Sequence, residues 1–449
     1  TEGDAILGAD RVRALGIDGS GIKVGVISDG VDHANTAVAS GDLPVDVMVW
    51  ESAAGEGDEG TAMLEIVHDI APGADLFFYG PGSSLDMRNG IFSLAAAGCK
   101  VIVDDISWFD QPYFEDGFLA RAVDEVAKHG VVYCASAGNY ATPNYSVGTK
   151  HYEYPYTRAN VSSGWHAWDG AHDSTLWVEV APQTTLTVHL QWDDPFGKST
   201  NDYDLFLFGD ENHSVALDSS GNWQSGSQDP REDLSWFNSS TSPRSVYVMV
   251  NCYSGQARRL GVYLINARRA EWVVRGGSIF GQHAALGAIT VGAINAADPG
   301  QIAYYSSRGP VTISHPVPQV RQGPDLCGID GGLITGAGDF GEGQPRRFFG
   351  TSAAAPHVAA IAALVRQAHP RWTPDQVRFA LASTALDLGD SGFDNVYGSG
   401  RVQAWEAVGA TPEPVNLAPI ITSVRDVPND QGGHVSVRWT ASSLDTDVN

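Results

Sequence analysis

The sequence predicts an α/β protein, a doubly wound parallel sheet interrupted by an inserted antiparallel β-sandwich or jelly-roll domain, and three observations predict it. Over the first 150 residues, short apolar runs alternate with amphipathic segments at close intervals. From about residue 160 to 275 the helical periodicity disappears and period-two alternation takes its place. The strand–helix alternation then resumes at ALGAITVGAI (285–294) and continues to about residue 410.

Each element follows from its own pattern. GIKVGVISDG (21–30) reads as a central strand, apolar on both faces through VGVI and ending in an acidic turn. TAMLEIVHDIA (61–71) places Met63, Leu64, Val67 and Ile70 on one helical face. Strand ADLFFYG, helix MRNGIFSLAAAG, strand KVIVDDISW, helix LARAVDEVAKHG and strand VVYCASAG follow in turn. In the second region TLWVEVA, TTLTVHLQW, YDLFLFG, RSVYVMVNC and GVYLINA alternate between polar turns, the pattern of a two-sheet packing. AAPHVAAIAALVRQA (354–368) is the helix of the returning α/β pattern. The expected division is 1–158 with 276–410 for a discontinuous α/β domain and 159–275 for the insertion. Residues 411–449 follow as a Pro-rich linker, TPEPVNLAPI, and the start of a further, fibronectin-like β domain.

Length and charge narrow the function. A chain of 449 residues exceeds what one core holds. Its 53 acidic and 27 basic side chains give a net charge of −26, a field that repels nucleic acid and anionic membrane, and no Lys/Arg stripe offsets it. No apolar run is long enough for a membrane span, so neither nucleic acid nor membrane insertion is expected. The charge suits a secreted or extracellular protein. Cys99, Cys134, Cys252 and Cys327 are widely spaced without a C-x-x-C pair, and read as buried small hydrophobes. No cofactor is expected to be required. The acidic loops GDENHS (209–214) and LDLGDSGFDN (386–395) leave a structural calcium ion open without matching a calcium motif.

Three segments carry candidate chemistry. Asp29 sits at the carboxyl end of a buried strand, where ligands gather in open α/β sheets, and otherwise serves as a turn residue. In GTSAAAPHV (350–358), small residues let the Ser352 hydroxyl and a backbone amide approach a substrate closely, and the following helix directs its positive end at developing oxyanion charge. SAGN (136–139) ends another strand, and the Asn139 amide donates a hydrogen bond without charge. The acidic pair Asp104 and Asp105 reads either as strand-end caps or as carboxylates coupled to the site.

These strings, in this order, resemble the subtilisin-like serine peptidases, relatives of the sedolisins. SDG (28–30) resembles that family's aspartate motif, SAGN its oxyanion motif and GTSAAAPHVA (350–359) its nucleophile motif; TVGA (290–293), SSRGP (306–310) and PDL (324–326) match further segments. The resemblance covers roughly 1–158 and 276–410 and implies hydrolysis of peptide bonds in protein or peptide substrates through an acyl-enzyme on Ser352. The family's histidine motif falls on DEGTAM (58–63), with Glu59 at the histidine position. The expectation is therefore a peptidase in which a Glu59–Asp29 carboxylate pair serves as base, with an acid to near-neutral optimum. His68 lies too far along its helix to substitute, His357 belongs to the nucleophile helix, and His283 lies at the insertion junction, within potential reach of the site but assigned no role. DDISWF (104–109) falls where the family carries its substrate-binding edge strand, so Ser107 is expected to pair with substrate backbone, and Trp108 and Phe109 to line subsites.

The insertion is similar to bacterial pre-peptidase C-terminal β domains. Trp192, Trp223 and Trp236 then form either a contact surface or core. The alternative to an enzyme is an inactive binding or scaffold protein on a protease fold. An esterase or lipase would need a G-x-S-x-G elbow and a histidine late in the chain, and the context of Ser352 is different.

Overall fold

The computed structural model describes residues 1–160 and 163–410, together with the backbone of two strands, Ile420–Asp426 and Val435–Thr440. Those two strands pair antiparallel. The proposed linker, 411–419, lies outside the described residues.

Seven strands form one parallel sheet in the spatial order Leu326–Asp330, Ala288–Asn295, Val132–Ser136, Val101–Asp104, Lys23–Ile27, Asp75–Gly80, Met48–Ala54. The interior strands are apolar on both faces because helices cover both sides. Glu59–Ile70 and Thr351–Ala368 pack together on one side, and Ser84–Ala96 and Phe118–Lys128 on the other. The alanine-rich start of Thr351–Ala368 lets that helix run buried from Thr351 to Arg366 close against the sheet. After Asp75–Gly80 the chain crosses back over Lys23–Ile27 to enter Val101–Asp104. This reversal puts the carboxyl ends of Lys23–Ile27 and Val101–Asp104 side by side at the switch point, where open α/β sheets bind ligands.

The insertion is a two-sheet antiparallel domain. One sheet has the order Ala216–Ser220, Asp202–Phe208, Arg244–Ser254, Leu176–Val180, Ala267–Ala270; the other has Arg231–Asn238, Thr184–Trp192, Arg259–Ile265, Lys150–Pro155. Lys150–Pro155 thus joins this domain ahead of residue 159. Trp192 fills the core against Tyr203, Trp236 is half-buried and Trp223 is exposed beside Tyr253. The four-stranded sheet meets the α/β body through Gln191, which accepts from Tyr113 N at 3.0 Å and donates to the Phe109 and Gln111 carbonyls at 3.1 and 3.0 Å. The four cysteines are free and buried. Among the described residues no helix is long and apolar enough to cross a membrane.

Candidate active site

Ser352 lies in the first turn of Thr351–Ala368, with 8% of its surface exposed. The Asn139 side-chain oxygen accepts from Thr351 N at 3.0 Å and from Thr351 Oγ1 at 3.1 Å, so the residue after SAG caps the helix that carries Ser352. Its Nδ2 is left facing Gly350, where a Cβ would stand 3.1 Å away. Gly350 has φ of +113°, a conformation glycine accommodates and which turns the chain sharply into the helix. An amide donor and a helix N-terminus therefore lie beside the turn that carries Ser352, groups of the kind an oxyanion site uses.

The expected Glu59–Asp29 base is corrected by the structure. The Asp29 carboxylate accepts from its neighbour Gly30 N at 2.5 Å and, at the start of Glu59–Ile70, from Gly60 N at 3.1 Å and Glu59 N. Asp58, the residue before that helix, makes no side-chain cap, so Asp29 supplies one from a neighbouring strand. Burial raises the Asp29 carboxyl above its usual value, and these amides pull it back. The Glu59 carboxyl hydrogen-bonds to Ser352 and to Asp105. Burial is the largest cause of the upward shift of both Glu59 and Asp105, and repulsion adds to it.

Nor does Glu59 stand in for a histidine that the site lacks. Ser107 Oγ lies 2.8 Å from His283 Nε2, and His283 Nδ1 faces Asp104 Oδ1 at 3.9 Å. The three residues form a Ser–His–Asp set. The second separation is longer than a hydrogen bond, as contacts in substrate-free active sites often are before they tighten. The Gln282 side-chain amide also approaches His283 Nε2, at 3.3 Å, and Asp104 Oδ1, at 3.3 Å. With Ser107 and Gln282 both presenting donors to Nε2, the neutral ring carries its proton on Nδ1, and the imidazole also has a hydrogen-bond contact with the Ser136 backbone. Full burial lowers the imidazole to about 4 and raises the Asp104 carboxyl to about 7. His283 is therefore an unprotonated acceptor across the neutral range.

The edge residues divide. Ser107, expected on substrate backbone, gives its hydroxyl to His283. The Trp108 indole donates to Met87 Sδ at 3.1 Å, and with Asp29, Glu56, Asp86 and Ile106 its ring lines an open groove of about 670 Å³. Phe109 is packed in the aromatic seam between the body and the insertion, stacked on His189 with centroids 4.5 Å apart and flanked by Tyr140, Tyr263 and Phe280. Tyr140 joins the two serine centres: it follows Asn139 in the chain and its hydroxyl hydrogen-bonds to Ser107. Among the described residues no group of three His, Cys, Asp or Glu side chains is placed to hold a metal ion.

Asp104 and His283 are the residues whose pairing local reading did not reach. The signal for Asp104 was present, an acidic pair closing a wholly apolar strand; His283 is brought in from beyond the insertion by the 3-10 turn Gly281–Ala284.

The Subtilase family model matches residues 205–400, a span that includes His283, SSRGP and the Ser352 segment. The chain is 46% identical over 59 residues to the extracellular serine protease of Serratia marcescens, covering 13% of this chain and 6% of that protein. It is 53% identical over 55 residues to M-protease of Shouchella clausii, covering 12% and 14%. It is 37% identical over 102 residues to the subtilisin-like protease SBT1.4 of Arabidopsis thaliana, covering 20% and 13%. The chain thus spans only a small part of the length of these curated relatives. Among solved structures, the CspB protease of Clostridium perfringens superposes with a TM-score of 0.58 at 13% identity, over 90% of this chain and 98% of that one. The fold is the subtilisin-like one, a doubly wound parallel sheet carrying an inserted antiparallel β domain.

Proposed function

We propose that this protein is a serine endopeptidase acting on extended polypeptides. The observation that carries the reading is the Ser107–His283–Asp104 set at the carboxyl ends of the parallel strands. In this set neutral His283 takes the serine proton during attack, and Asp104 stabilises the imidazolium that forms. The groove beside Trp108 holds the polypeptide. The net charge of −26 and the likeness to an extracellular serine protease support action outside the cell.

A second reading places the acyl group on Ser352. It is favoured by the Asn139 amide and helix N-terminus at that serine, and by the family match to its segment. A serine-reactive fluorophosphonate decides between the two. Labelled protein is digested to map the modified residue, and casein cleavage is followed in Ser107→Ala, His283→Gln and Ser352→Ala. Label on Ser107 that disappears in His283→Gln supports the first reading. Label on Ser352, with cleavage lost only in Ser352→Ala, replaces it with the second. A folded protein that neither takes the label nor cleaves casein is a scaffold, and overturns both.

A further inference from the structure

The inserted domain has one sheet against the α/β body and one that turns a face outward. On the five-stranded sheet Leu176, Val178, Val246 and Val248 point into the sandwich core, so Trp177 and Tyr247 project from the opposite face. The two are direct register partners and lie side by side. Glu271 is fixed next to them by its backbone N–H, which donates to the Trp177 carbonyl at 3.1 Å. With Asp173, Thr175 and Glu211 these residues line an open cleft of about 420 Å³.

The charges in this cleft are not neutralised internally. The nearby Arg268 and Arg269 lie 2.9 and 3.7 Å from Glu179, and among the described residues Asp173, Glu211 and Glu271 have no ion-pair partner. Asp173 accepts one local bond, from Thr175 N at 3.0 Å, and Thr175 Oγ1 contacts His213 Nε2 at 3.3 Å.

We infer that this cleft binds arginine or lysine side chains of a polypeptide. The electron-rich faces of Trp177 and Tyr247 attract a cation, and the aliphatic stem of Arg or Lys packs on the same rings. The three carboxylates on the rim complete the charge match, and the field of a chain at −26 concentrates basic peptides around it. An aromatic floor and this open volume fit a side chain better than a bare metal ion, which takes converging oxygens. The cleft lies away from the sheet that meets the α/β body, and the inference does not rest on peptidase activity.

The test is binding of fluorescein-labelled hexa-D-arginine, which resists cleavage, measured by polarisation. Because any acidic protein draws a basic peptide, the comparison is between two variants with the same charge change. Glu211→Gln/Glu271→Gln is expected to weaken binding at least about fivefold, and Asp10→Asn/Glu406→Gln, on the α/β body, less than about twofold. Trp177→Ala, checked for native circular dichroism, is expected to weaken it further, and Trp177→Phe to restore part of the loss. Equal losses in the two charge-matched variants overturn the inference. So does peptide-dependent hydrogen-exchange protection lying elsewhere than residues 173–180, 209–213, 244–254 and 267–272. Binding of neutral cellohexaose that needs Trp177 and ignores the glutamate changes assigns the cleft to glycan instead, and overturns it as well.

Discussion

The Ser107 hydroxyl and the His283 imidazole, 176 residues apart in the chain, meet at 2.8 Å with the ring wholly buried. Chain reversal at the sheet switch point brings Val101–Asp104 to the cleft, and the Gly281–Ala284 turn presents the imidazole from the strand beyond. The same burial that fixes this pair sets the protonation of its members, so several consequences are measurable.

Asp104→Asn is expected to stabilise the protein while removing activity. The carboxyl is raised from 3.8 to about 7 by complete burial. The unfolded chain therefore ionises first, and stability falls as pH rises from about 4 to about 7, then stays level. A neutral amide avoids that loss, a gain on the order of 2 to 4 kcal/mol above pH 7 and none at low pH. Urea denaturation of wild type and variant at pH 4 and pH 8 measures the difference. If Asp104 orients His283, casein cleavage drops by roughly 10³-fold or more in the same variant.

The pH dependence of kcat/KM follows from the same two groups. His283, lowered to about 4, is neutral throughout the physiological range and places no limb near the ordinary histidine value. Activity should instead rise through pH about 7 as Asp104 ionises. A profile measured from pH 4 to pH 9 that is flat across 6 to 8, or whose limb survives unchanged in Asp104→Asn, removes Asp104 from the mechanism.

Asn139 separates stability from chemistry. Asn139→Ala leaves the Thr351 amide and hydroxyl without their acceptor and should cost about 1 to 2 kcal/mol in thermal or urea unfolding. Asn139→Asp keeps the acceptor and should restore most of that stability. It lacks the amide donor, so if Nδ2 serves the oxyanion, cleavage still falls about 10² to 10³-fold.

Gly350→Ala should be destabilising by about 1 to 3 kcal/mol, because alanine meets φ of +113° and its methyl presses on Asn139 Nδ2. If the acyl group is carried on Ser352, activity should fall along with stability, since the same backbone turn sets the position of that serine; if it is carried on Ser107, stability alone should fall. A variant as stable and as active as wild type would show that this turn relaxes freely.

Much of the framework was legible from local pattern. The apolar run VGVI and the helical spacing of Met63, Leu64, Val67 and Ile70 specify a covered strand and its helix, because each pattern has one stable burial. The period-two strands of the insertion were legible for the same reason. Phe109 was not: its place in the aromatic seam depends on Tyr140, Tyr263 and Phe280, which arrive from three other segments.

The sequence by itself determined the alternation of elements and the inserted β domain, since these depend on periodicity, whereas the cap that Asn139 places on the Ser352 helix joins residues 212 apart and belongs to the tertiary structure. Only the tertiary structure decided which acid serves which partner. Asp29 satisfies helix amides, Glu59 meets Ser352 and Asp105, and Asp104 faces a histidine supplied from beyond the insertion. Those pairings depend on the order of strands in the sheet and on where burial withdraws water from charge, and neither is encoded in any one stretch of chain.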